Sequence, residues 1–321
     1  MIKMFLRSML AIGIIAIALL MNSCGKDEND NENENRTTIS DAKINAEAAK
    51  QGYMVLKTAK EEGEVLEIGI GATIANRPNV WIDLNNDGQQ QPEEKVTTFP
   101  KYVEYTLRSQ TIVVYGKVSE LQCPNQKLTA LDVSKNPTLT VLGCSRNQLK
   151  GLNVSNNPIL YYLSCARNPL HRLDVSKNPD LRRFFCHESQ LTTIDVSKNS
   201  NLWEFDCSKN RLTTIDVSKN AKLRRFNCSE NQLKTLDISK NIDLRYVECH
   251  TNYIKGGNMN TLLMALPKKV NTIGEIVVIS LNVAEGKAKE GNDMPTEMQI
   301  RAVKNKNWKL MRVKNHLWEE L

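Results

Sequence analysis

Histidine is scarce in this 321-residue chain, and the sequence motifs that carry catalysis are missing from it. None of the histidines stands in a nucleophile elbow, a zinc-binding helix or a phosphate-binding loop. The segment IGIGA at 68–72 lacks the third glycine and the following helix of a dinucleotide site. The four histidines are His171, His187, His250 and His316. We therefore predict that the protein is not an enzyme.

Long runs of one charge and long apolar runs are also missing. The net charge is +7, but lysine and arginine alternate with aspartate and glutamate along most of the chain, so we expect no nucleic-acid partner. The apolar run Met9–Met21 is short for a membrane span. Because Lys3 and Arg7 precede it, the run is typical of a signal peptide, which we place at residues 1–23.

Cys24 follows this run directly after the small residue Ser23, in the segment LLMNSC. The segment resembles a bacterial lipoprotein signal, which implies that Cys24 is lipidated and becomes the first mature residue. The charged segment GKDENDNENENR comes next, and residues 24–37 are expected to form a disordered tether. This acidic run resembles the surface-export signal of Bacteroidetes lipoproteins, which implies an outer-membrane lipoprotein exposed at the cell surface. An ordinary secretory signal with a chance cysteine is the alternative.

The seven cysteines that follow Cys24 are evenly spaced, each twenty-one positions after the one before. They are Cys123, Cys144, Cys165, Cys186, Cys207, Cys228 and Cys249. A constant period of this length is the signature of a solenoid. The unit LTVLGCSRNQLKGLNVSNNPI has the spacing of a leucine-rich repeat, with Cys144 in place of a strand leucine. One coil cannot enclose a core, so stacked coils must share one.

These repeats, at about residues 118–255, resemble the short leucine-rich repeats of Bacteroidetes surface proteins. Their cysteine column is similar to that of internalin J-like repeats. The resemblance implies a β-rich leucine-rich repeat solenoid with short parallel strands and about seven coils of this length. It also implies a role in recognition, because repeats of the internalin kind bind proteins on host cells or neighbouring bacteria.

The repeat cysteines are predicted to form a structural column of reduced thiols in the core. A thiol packs like a small hydrophobe, and equivalent inward positions on parallel strands stack about 4.8 Å apart. That distance alone permits a disulfide, but the number of cysteines is odd and their parallel directions make the required dihedral awkward. Metal binding and redox chemistry also stay open, although a straight column without a histidine column does not converge on one ion.

Two further columns shape the expected core. Asparagine stands three residues after most of the repeat cysteines, where an inward amide can bond the backbone of neighbouring coils. Gln126 and Ser189 interrupt this column, so we expect the coil around Ser189 to be the least regular. Phe184, Phe205 and Phe226 replace leucine in the middle coils, where the core is expected to be widest.

The strand before each cysteine differs from coil to coil, and its outward side chains gather arginines and aromatics over the third to seventh coils. The predicted ligand-binding residues of this concave face are Tyr161, Tyr162, Arg182, Arg183, Phe185, Trp203, Arg224, Arg225, Arg245 and Tyr246. Such residues are enriched at interface hot spots, and a preformed sheet loses little entropy on binding. Alternatively, these side chains only cover one another and keep the sheet soluble. The arginines indicate an acidic partner, either a protein or a sulfated or sialylated glycan.

The two ends of the chain are predicted to cap the solenoid. Residues 38–117 form a small β-rich domain, in which SDAKINAEAAKQ indicates a helix capped by Ser40 or Asp41. Its β-like runs are YMVLKT, EVLEIGIGA, NVWIDL, KVTTF, VEYTL and TIVVYGKV. Residues 256–321 form an α/β cap, in which helices alternate with the strands GEIVVISL and WKLMRV.

Within the N-terminal domain, DLNNDGQQQPEE matches the spacing of a twelve-residue calcium loop. Its candidate ligands are Asp83, Asn85, Asp87 and Glu94. An EF-hand needs a helix on each side, whereas NVWI enters as a strand, and Gln90 replaces the usual apolar residue. A metal-free hairpin turn at NNDG is the favoured alternative. We expect no cofactor other than this possible calcium ion.

Together these features predict a lipid-anchored surface protein that mediates protein–protein binding or adhesion through its concave face. One alternative is a structural or accessory lipoprotein of an outer-membrane uptake or matrix complex, for which changes on that face have little effect. Capture of nutrient glycans is another. A fold does not decide among these functions.

Overall fold

The fold is described from a computed structural model of the whole chain. It describes residues 39–270, 272–280, 291–314 and 317–321. The predicted signal peptide at 1–23, the lipidation site Cys24 and the tether at 24–37 lie outside these residues. They stay predictions.

The repeats form a solenoid whose strands stack in parallel and in register. Among the described residues, seven short strands recur at the period of the cysteines and enclose six complete turns. They are β6 (Glu120–Gln122), β8 (Val141–Gly143), β9 (Tyr162–Ser164), β10 (Arg183–Phe185), β11 (Glu204–Asp206), β12 (Arg225–Asn227) and β13 (Tyr246–Glu248). The predicted leucine-rich repeat solenoid is thereby confirmed.

The middle residue of every repeat strand points into the core, because successive side chains of a strand face opposite sides. In the central coils this residue is phenylalanine, and the rings stack along the solenoid axis. Phe205 lies 5.3 Å from Phe184 and 5.7 Å from Phe226 between ring centroids, and all three rings are at most 1% exposed. Phenylalanine, which is larger than leucine, therefore occupies the inward position in the three successive coils whose rings form one continuous stack.

The seven repeat cysteines are buried, and within the described residues no disulfide joins one to another. Burial raises the pKa of the thiols from Cys123 to Cys228, and that of Cys144 reaches about 12. Because the thiolate is the reactive form of cysteine, these side chains pack as small hydrophobes and have little nucleophilic character.

The asparagine column joins adjacent coils through backbone hydrogen bonds. The Asn210 Nδ2 donates to the carbonyls of Cys186 and Cys207, each at 3.0 Å. Its Oδ1 accepts the backbone N–H groups of Ser189 at 3.0 Å and Leu191 at 2.9 Å. One buried amide thus satisfies four backbone groups that the turn leaves open.

The interruption at Ser189 changes the coil that precedes it. In the neighbouring coils the N–H of Leu149 bonds to Asn168 Oδ1 and that of Leu191 to Asn210 Oδ1. The equivalent N–H of Leu170 bonds instead to the carbonyl of Asn168, only two residues away, at 2.8 Å. The irregularity that the sequence predicts is present, but it lies at Leu170. The reason is that the amide of each column asparagine accepts backbone N–H groups of the preceding coil.

The N-terminal domain is built into the first coil of the solenoid. Its strands are β1 (Tyr53–Thr58), β2 (Val65–Gly71), β3 (Trp81–Asp83), β4 (Tyr102–Thr106) and β5 (Thr111–Tyr115). A four-stranded sheet has the order β3-β5-β1-β7, in which β7 (Leu128–Asp132) belongs to the first coil. In addition, β2 pairs antiparallel with β6, and β4 pairs with β2. One hydrophobic core consequently runs from Met54 to Leu310.

Two details of this domain differ from the sequence-based expectation. KVTTF is not a strand, because only Lys95 makes an isolated bridge, to Trp81. Helix α1 (Ala46–Ala49) has four residues and is capped by Asn45, whose side chain accepts two backbone N–H groups, and not by Ser40 or Asp41. Asn45 is fixed in turn by Tyr115, whose hydroxyl accepts its backbone N–H at 2.8 Å. Tertiary contacts therefore place this cap.

The C-terminal region continues the repeat sheet with longer connections. Its elements are α2 (Gly257–Ala265), β14 (Gly274–Ser280), α3 (Glu297–Lys304), β15 (Trp308–Lys314) and β16 (Leu317–Glu320). β14 pairs in parallel with β13 and β15 with β14, whereas β16 is antiparallel and ends the 12-stranded sheet of the described residues. Within the described ranges, no helix has the length and apolar character needed to cross a membrane.

Candidate functional site

The outward side chains of the repeat strands form two neighbouring rows, which together we call the strand face. The residues that precede the strands form the rim row: Tyr161, Arg182, Trp203, Arg224 and Arg245. The first residues of the strands form the inner row: Tyr162, Arg183, Glu204, Arg225 and Tyr246. Phe185, at the end of β10, lies beside the inner row. The structure therefore brings all ten predicted residues onto one face.

The inner row is held by its own charge pairs. Arg183 Nε lies 2.7 Å from a carboxylate oxygen of Glu204, and Arg225 Nε lies 3.5 Å from the other oxygen. The Arg225 guanidinium also covers the ring of Tyr246 at 4.9 Å. Only 17% of the Glu204 side chain is exposed, so both arginines are partly neutralised. The inner row is a prearranged surface whose cations already have a partner.

Arg183 connects the inner row to the aromatic side chains of the strand face. Its guanidinium lies 5.3 Å from the ring centroids of Tyr162 and Phe185, and 5.5 Å from that of Trp203. Cation–π contacts of this kind restrain both partners. They hold the half-buried Trp203 indole beside the inner row.

The arginines of the rim row, unlike those of the inner row, have no charged partner among the described residues. Arg182, Arg224 and Arg245 are exposed, and their side chains make no hydrogen bond or ion pair with any residue in the described part of the chain. Tyr161 is 43% exposed beside them. The backbone of the row is nevertheless fixed, because Trp203 N donates to Arg182 O at 3.0 Å and Arg224 N to Trp203 O at 2.9 Å. Unpaired cations thus extend from a backbone that hydrogen bonds hold in place.

A shallow groove of about 530 Å³ lies along the rim row. It is lined by Arg182, Trp203, Arg224, Asn201, Lys222 and Asp243. The last three residues also recur at the repeat period, and Lys222 Nζ donates to Asn201 Oδ1 at 2.7 Å. The sequence alone does not reveal these three residues, because they precede the strand by three positions and their neighbours depend on how successive coils stack.

Acidic side chains lie at the ends of the strands, and histidines follow them at the other edge of the strand face. His187 Nδ1 lies 3.4 Å from Asp206, and His250 Nε2 lies 3.9 Å from Glu248. The Tyr246 hydroxyl donates a hydrogen bond to Glu248. Burial is the main cause that raises the pKa of both Tyr246 and Glu248 above their usual values. These groups cluster, yet in the described part of the chain no three His, Cys, Asp or Glu side chains are placed to hold a metal ion.

His250 should make the protein less stable at acidic pH. Burial, reinforced by the Lys209 ammonium, lowers its pKa from 6.5 to about 4. Between these values the unfolded state binds the extra proton, so stability is present above pH 6.5 and is lost as the pH falls toward 4. The loss should reach roughly 3 kcal/mol. Urea unfolding at pH 7 and pH 4.5 measures it, and His250→Gln should lose clearly less stability than the wild type.

Comparing His250→Gln with the wild type separates the contribution of His250 to the pH dependence of stability from that of Glu248. The raised pKa of Glu248 changes stability with pH in the opposite direction. His171→Gln is the control, since this histidine is exposed, and it should keep the wild-type dependence. An equal loss of stability in His250→Gln and the wild type would contradict the assignment.

The candidate calcium loop is closed by backbone hydrogen bonds. Asp83 is fully buried, and its two oxygens accept the N–H groups of Asp87 at 3.2 Å and Gly88 at 2.9 Å. Glu94 likewise accepts two backbone N–H groups, at 2.8 and 3.0 Å. Burial raises the pKa of both carboxyls. The loop has the bonds of a compact turn, and calcium binding by Asp83, Asn85, Asp87 and Glu94 stays a prediction.

No family model matches the chain, and no curated protein matches it. Among solved structures, the functional domain of InlJ from Listeria monocytogenes, which includes a cysteine ladder, is 25% identical over 56% of this chain and 54% of its own, with a TM-score of 0.34. A leucine-rich repeat protein of Leptospira interrogans is 26% identical over 43% of this chain and 38% of its own, with a TM-score of 0.41.

Internalin C2 from Listeria monocytogenes is 18% identical over 60% of this chain and 80% of its own, with a TM-score of 0.47. The chain thus spans about half of the InlJ domain and less of the Leptospira protein. These are proteins with leucine-rich repeats or internalin names to which the chain is similar.

Proposed function

We propose that this chain is a recognition module that binds a protein partner through the strand face. The observation that carries the proposal is the rim row, where unpaired arginines flank a half-buried tryptophan on a rigid base. Tryptophan, tyrosine and arginine supply most of the binding energy at protein interfaces. Solenoids present extended surfaces of this kind, and each repeat adds one strand to them.

The mechanism follows from the difference between the two rows. The inner row is already paired through Glu204, so little side-chain freedom is lost when a partner covers it. The rim arginines are unpaired in the described structure and gain an ion pair only when an acidic group approaches. Such charges raise the association rate and select acidic partners. We infer that the partner has an acidic surface. This surface would lie against the strand face when the two proteins adhere.

A pair of charge-matched variants tests this function. Arg182→Glu with Arg224→Glu reverses the rim, whereas Lys177→Glu with Lys198→Glu makes the same charge change on exposed turn residues. Each immobilised protein is offered host-cell surface proteins and the organism's own envelope proteins, and the retained proteins are identified by mass spectrometry. We expect the rim variant to bind a specific partner about tenfold more weakly or worse, and the turn variant to bind as the wild type does. Equal retention by all three would favour a structural or accessory role in an envelope complex.

We further propose that the module is displayed on the outer face of the outer membrane by a lipid on Cys24, as the sequence of a Bacteroidetes-type surface lipoprotein implies. A lipid anchor holds a folded domain at a membrane without a spanning helix. Cys24→Ser should abolish incorporation of a labelled fatty acid and release the protein from the membrane fraction. Label retained in this variant, or a wild type resistant to protease added to intact cells, would contradict the proposed location.

A further inference from the structure

The groove along the rim row has the parts of a binding site for a small charged ligand. Three of its lining residues, Arg182, Trp203 and Arg224, come from successive coils. The other three, Asn201, Lys222 and Asp243, also come from successive coils. Neighbouring coils are about 4.8 Å apart, so each set spans roughly one sugar ring on either side of its central residue. The groove is therefore a shallow trough with a regular array of functional groups.

The charges of this groove favour an anionic ligand. Arg182, Lys222 and Arg224 contribute three positive charges, and Asp243 contributes one negative charge. Lys222 Nζ donates a hydrogen bond to Asn201 Oδ1 at 2.7 Å. The two arginines make no ion pair with any described residue. Arginine binds carboxylate and sulfate groups through two parallel hydrogen bonds. An anionic group between the arginines would satisfy both of them.

Trp203 gives the groove an apolar surface. Its ring is half-buried and is held from the inner row by the Arg183 guanidinium at 5.5 Å. A ligand that fits must combine an apolar face for the indole with polar groups at its edge, because polar side chains stand on both sides. A sugar ring has this construction, with C–H bonds on its faces and hydroxyls around its edge.

An acidic peptide fits the same groove less well. An added peptide strand needs free backbone groups, yet the N–H groups of Trp203 and Arg224 are already bonded to the preceding coil. The groove is shallow and has no deep apolar pocket for a side-chain anchor. Asp243 also repels a run of peptide carboxylates, whereas its carboxylate accepts hydrogen bonds from hydroxyls.

We propose that the rim groove binds an acidic sugar, a ring that bears a carboxylate or a sulfate group. The anion lies between Arg182 and Arg224, the ring stacks on Trp203, and its hydroxyls bond to Asn201 and Asp243. The inference rests on the proposed function and deepens it, because it names the chemical group that the strand face recognises on a partner surface.

Titration calorimetry of the purified protein tests the site with four probes. Two are acidic disaccharides, one carrying a uronic acid without sulfate and one carrying sulfate, and together they distinguish carboxylate from sulfate sources. The third is the uronic acid disaccharide with its carboxyl reduced to a neutral alcohol. The fourth is a peptide of four consecutive glutamates. We expect at least one acidic disaccharide to bind, and its neutral counterpart to bind about tenfold more weakly or worse.

Three variants locate the binding. Trp203→Ala and Arg224→Gln should each weaken the acidic disaccharide about tenfold, whereas Arg211→Gln, which removes an exposed arginine outside the groove, should leave it unchanged. Circular dichroism confirms that each variant is folded. Absence of binding by both acidic disaccharides, equal binding of the neutral one, tighter binding of the peptide, or unchanged binding by Arg224→Gln would each overturn the inference. If the charge-reversed rim still loses its protein partner in that case, the proposed function stands without the sugar site.

Discussion

Replacing Phe205 with alanine should lower the free energy of unfolding by about 3–5 kcal/mol. The ring is 1% exposed and stands between Phe184 and Phe226 in a continuous stack, with interplanar angles of 8° and 15°. Removal leaves a cavity between two rings that cannot close on each other, because the backbone of each coil is fixed by its neighbours. Each coil contacts only the next, so the loss falls on two interfaces at once. Urea unfolding followed by circular dichroism measures the change.

The chain supplies its own control for this prediction. The equivalent position in the earlier coils is leucine, at Leu121, Leu142 and Leu163, and each is fully buried. Phe205→Leu keeps an apolar side chain that the same backbone accommodates elsewhere, so its cost should stay below about 1.5 kcal/mol. Equal losses in the two variants, or a loss under about 1 kcal/mol in Phe205→Ala, would show that the ring stack does not hold the coils together.

Asn210→Ala should destabilise the protein by about 3 kcal/mol or more. The substitution removes the partner of two buried carbonyls, those of Cys186 and Cys207, and of two buried N–H groups, those of Ser189 and Leu191. A buried backbone group left without a partner costs about 1–3 kcal/mol, and the alanine side chain leaves no acceptor in its place. Asn156→Ala, at an exposed asparagine outside the asparagine column, should change the stability by less than about 0.5 kcal/mol.

The reverse substitution strengthens this test. Ser189→Asn restores the asparagine column, supplies an acceptor for the Leu170 N–H, and should raise the free energy of unfolding by about 1 kcal/mol. Asn168 and Asn210 occupy the same position in the coils on either side, so the backbone geometry accommodates the amide. A destabilised Ser189→Asn protein together with a tolerated Asn210→Ala would contradict the role given to the column.

The solenoid could be predicted from the sequence because the same local information is repeated in every coil. The constant period, the cysteine column and the alternation of inward and outward residues each determine the parallel register without any knowledge of the rest of the chain. The irregularity near Ser189 was predictable for the same reason, since one member of a repeated set is replaced. The location of the irregularity at Leu170 could not be predicted, because it depends on which neighbouring coil each asparagine amide bonds to.

The N-terminal domain was less predictable because its elements are placed by distant partners. The strands β2 and β4 extend the repeat sheet in the antiparallel sense, and β7 is a strand in the first coil because β1 lies beside it. KVTTF has the composition of a strand but finds a partner only at Lys95. Local pattern gives the propensity of such a segment, and tertiary pairing decides whether it becomes a strand.

The candidate site was predicted in part. Alternation along the strands predicted that the side chains of Tyr162, Arg183, Phe185, Arg225 and Tyr246 point outward, since it depends only on the pleat, and the rim residues were predicted as their neighbours. It did not separate the paired inner row from the unpaired rim row, because that depends on whether Arg183 and Arg225 reach Glu204 in an adjacent coil. The sequence contains Glu204 and the three groove residues Asn201, Lys222 and Asp243, but their role appears only once the coils are stacked.

Site-specific photo-crosslinking tests the central claim, that the strand face is the binding surface, most directly. A photoreactive amino acid is placed at Tyr161 in the rim row in one variant, and at Lys198 on the exposed turn in another. Each protein is irradiated after incubation with the surface proteins retained by the wild type. We predict a covalent adduct with the partner from Tyr161 and none from Lys198. Adducts of equal yield from both positions, or an adduct from Lys198 alone, would contradict binding through the strand face.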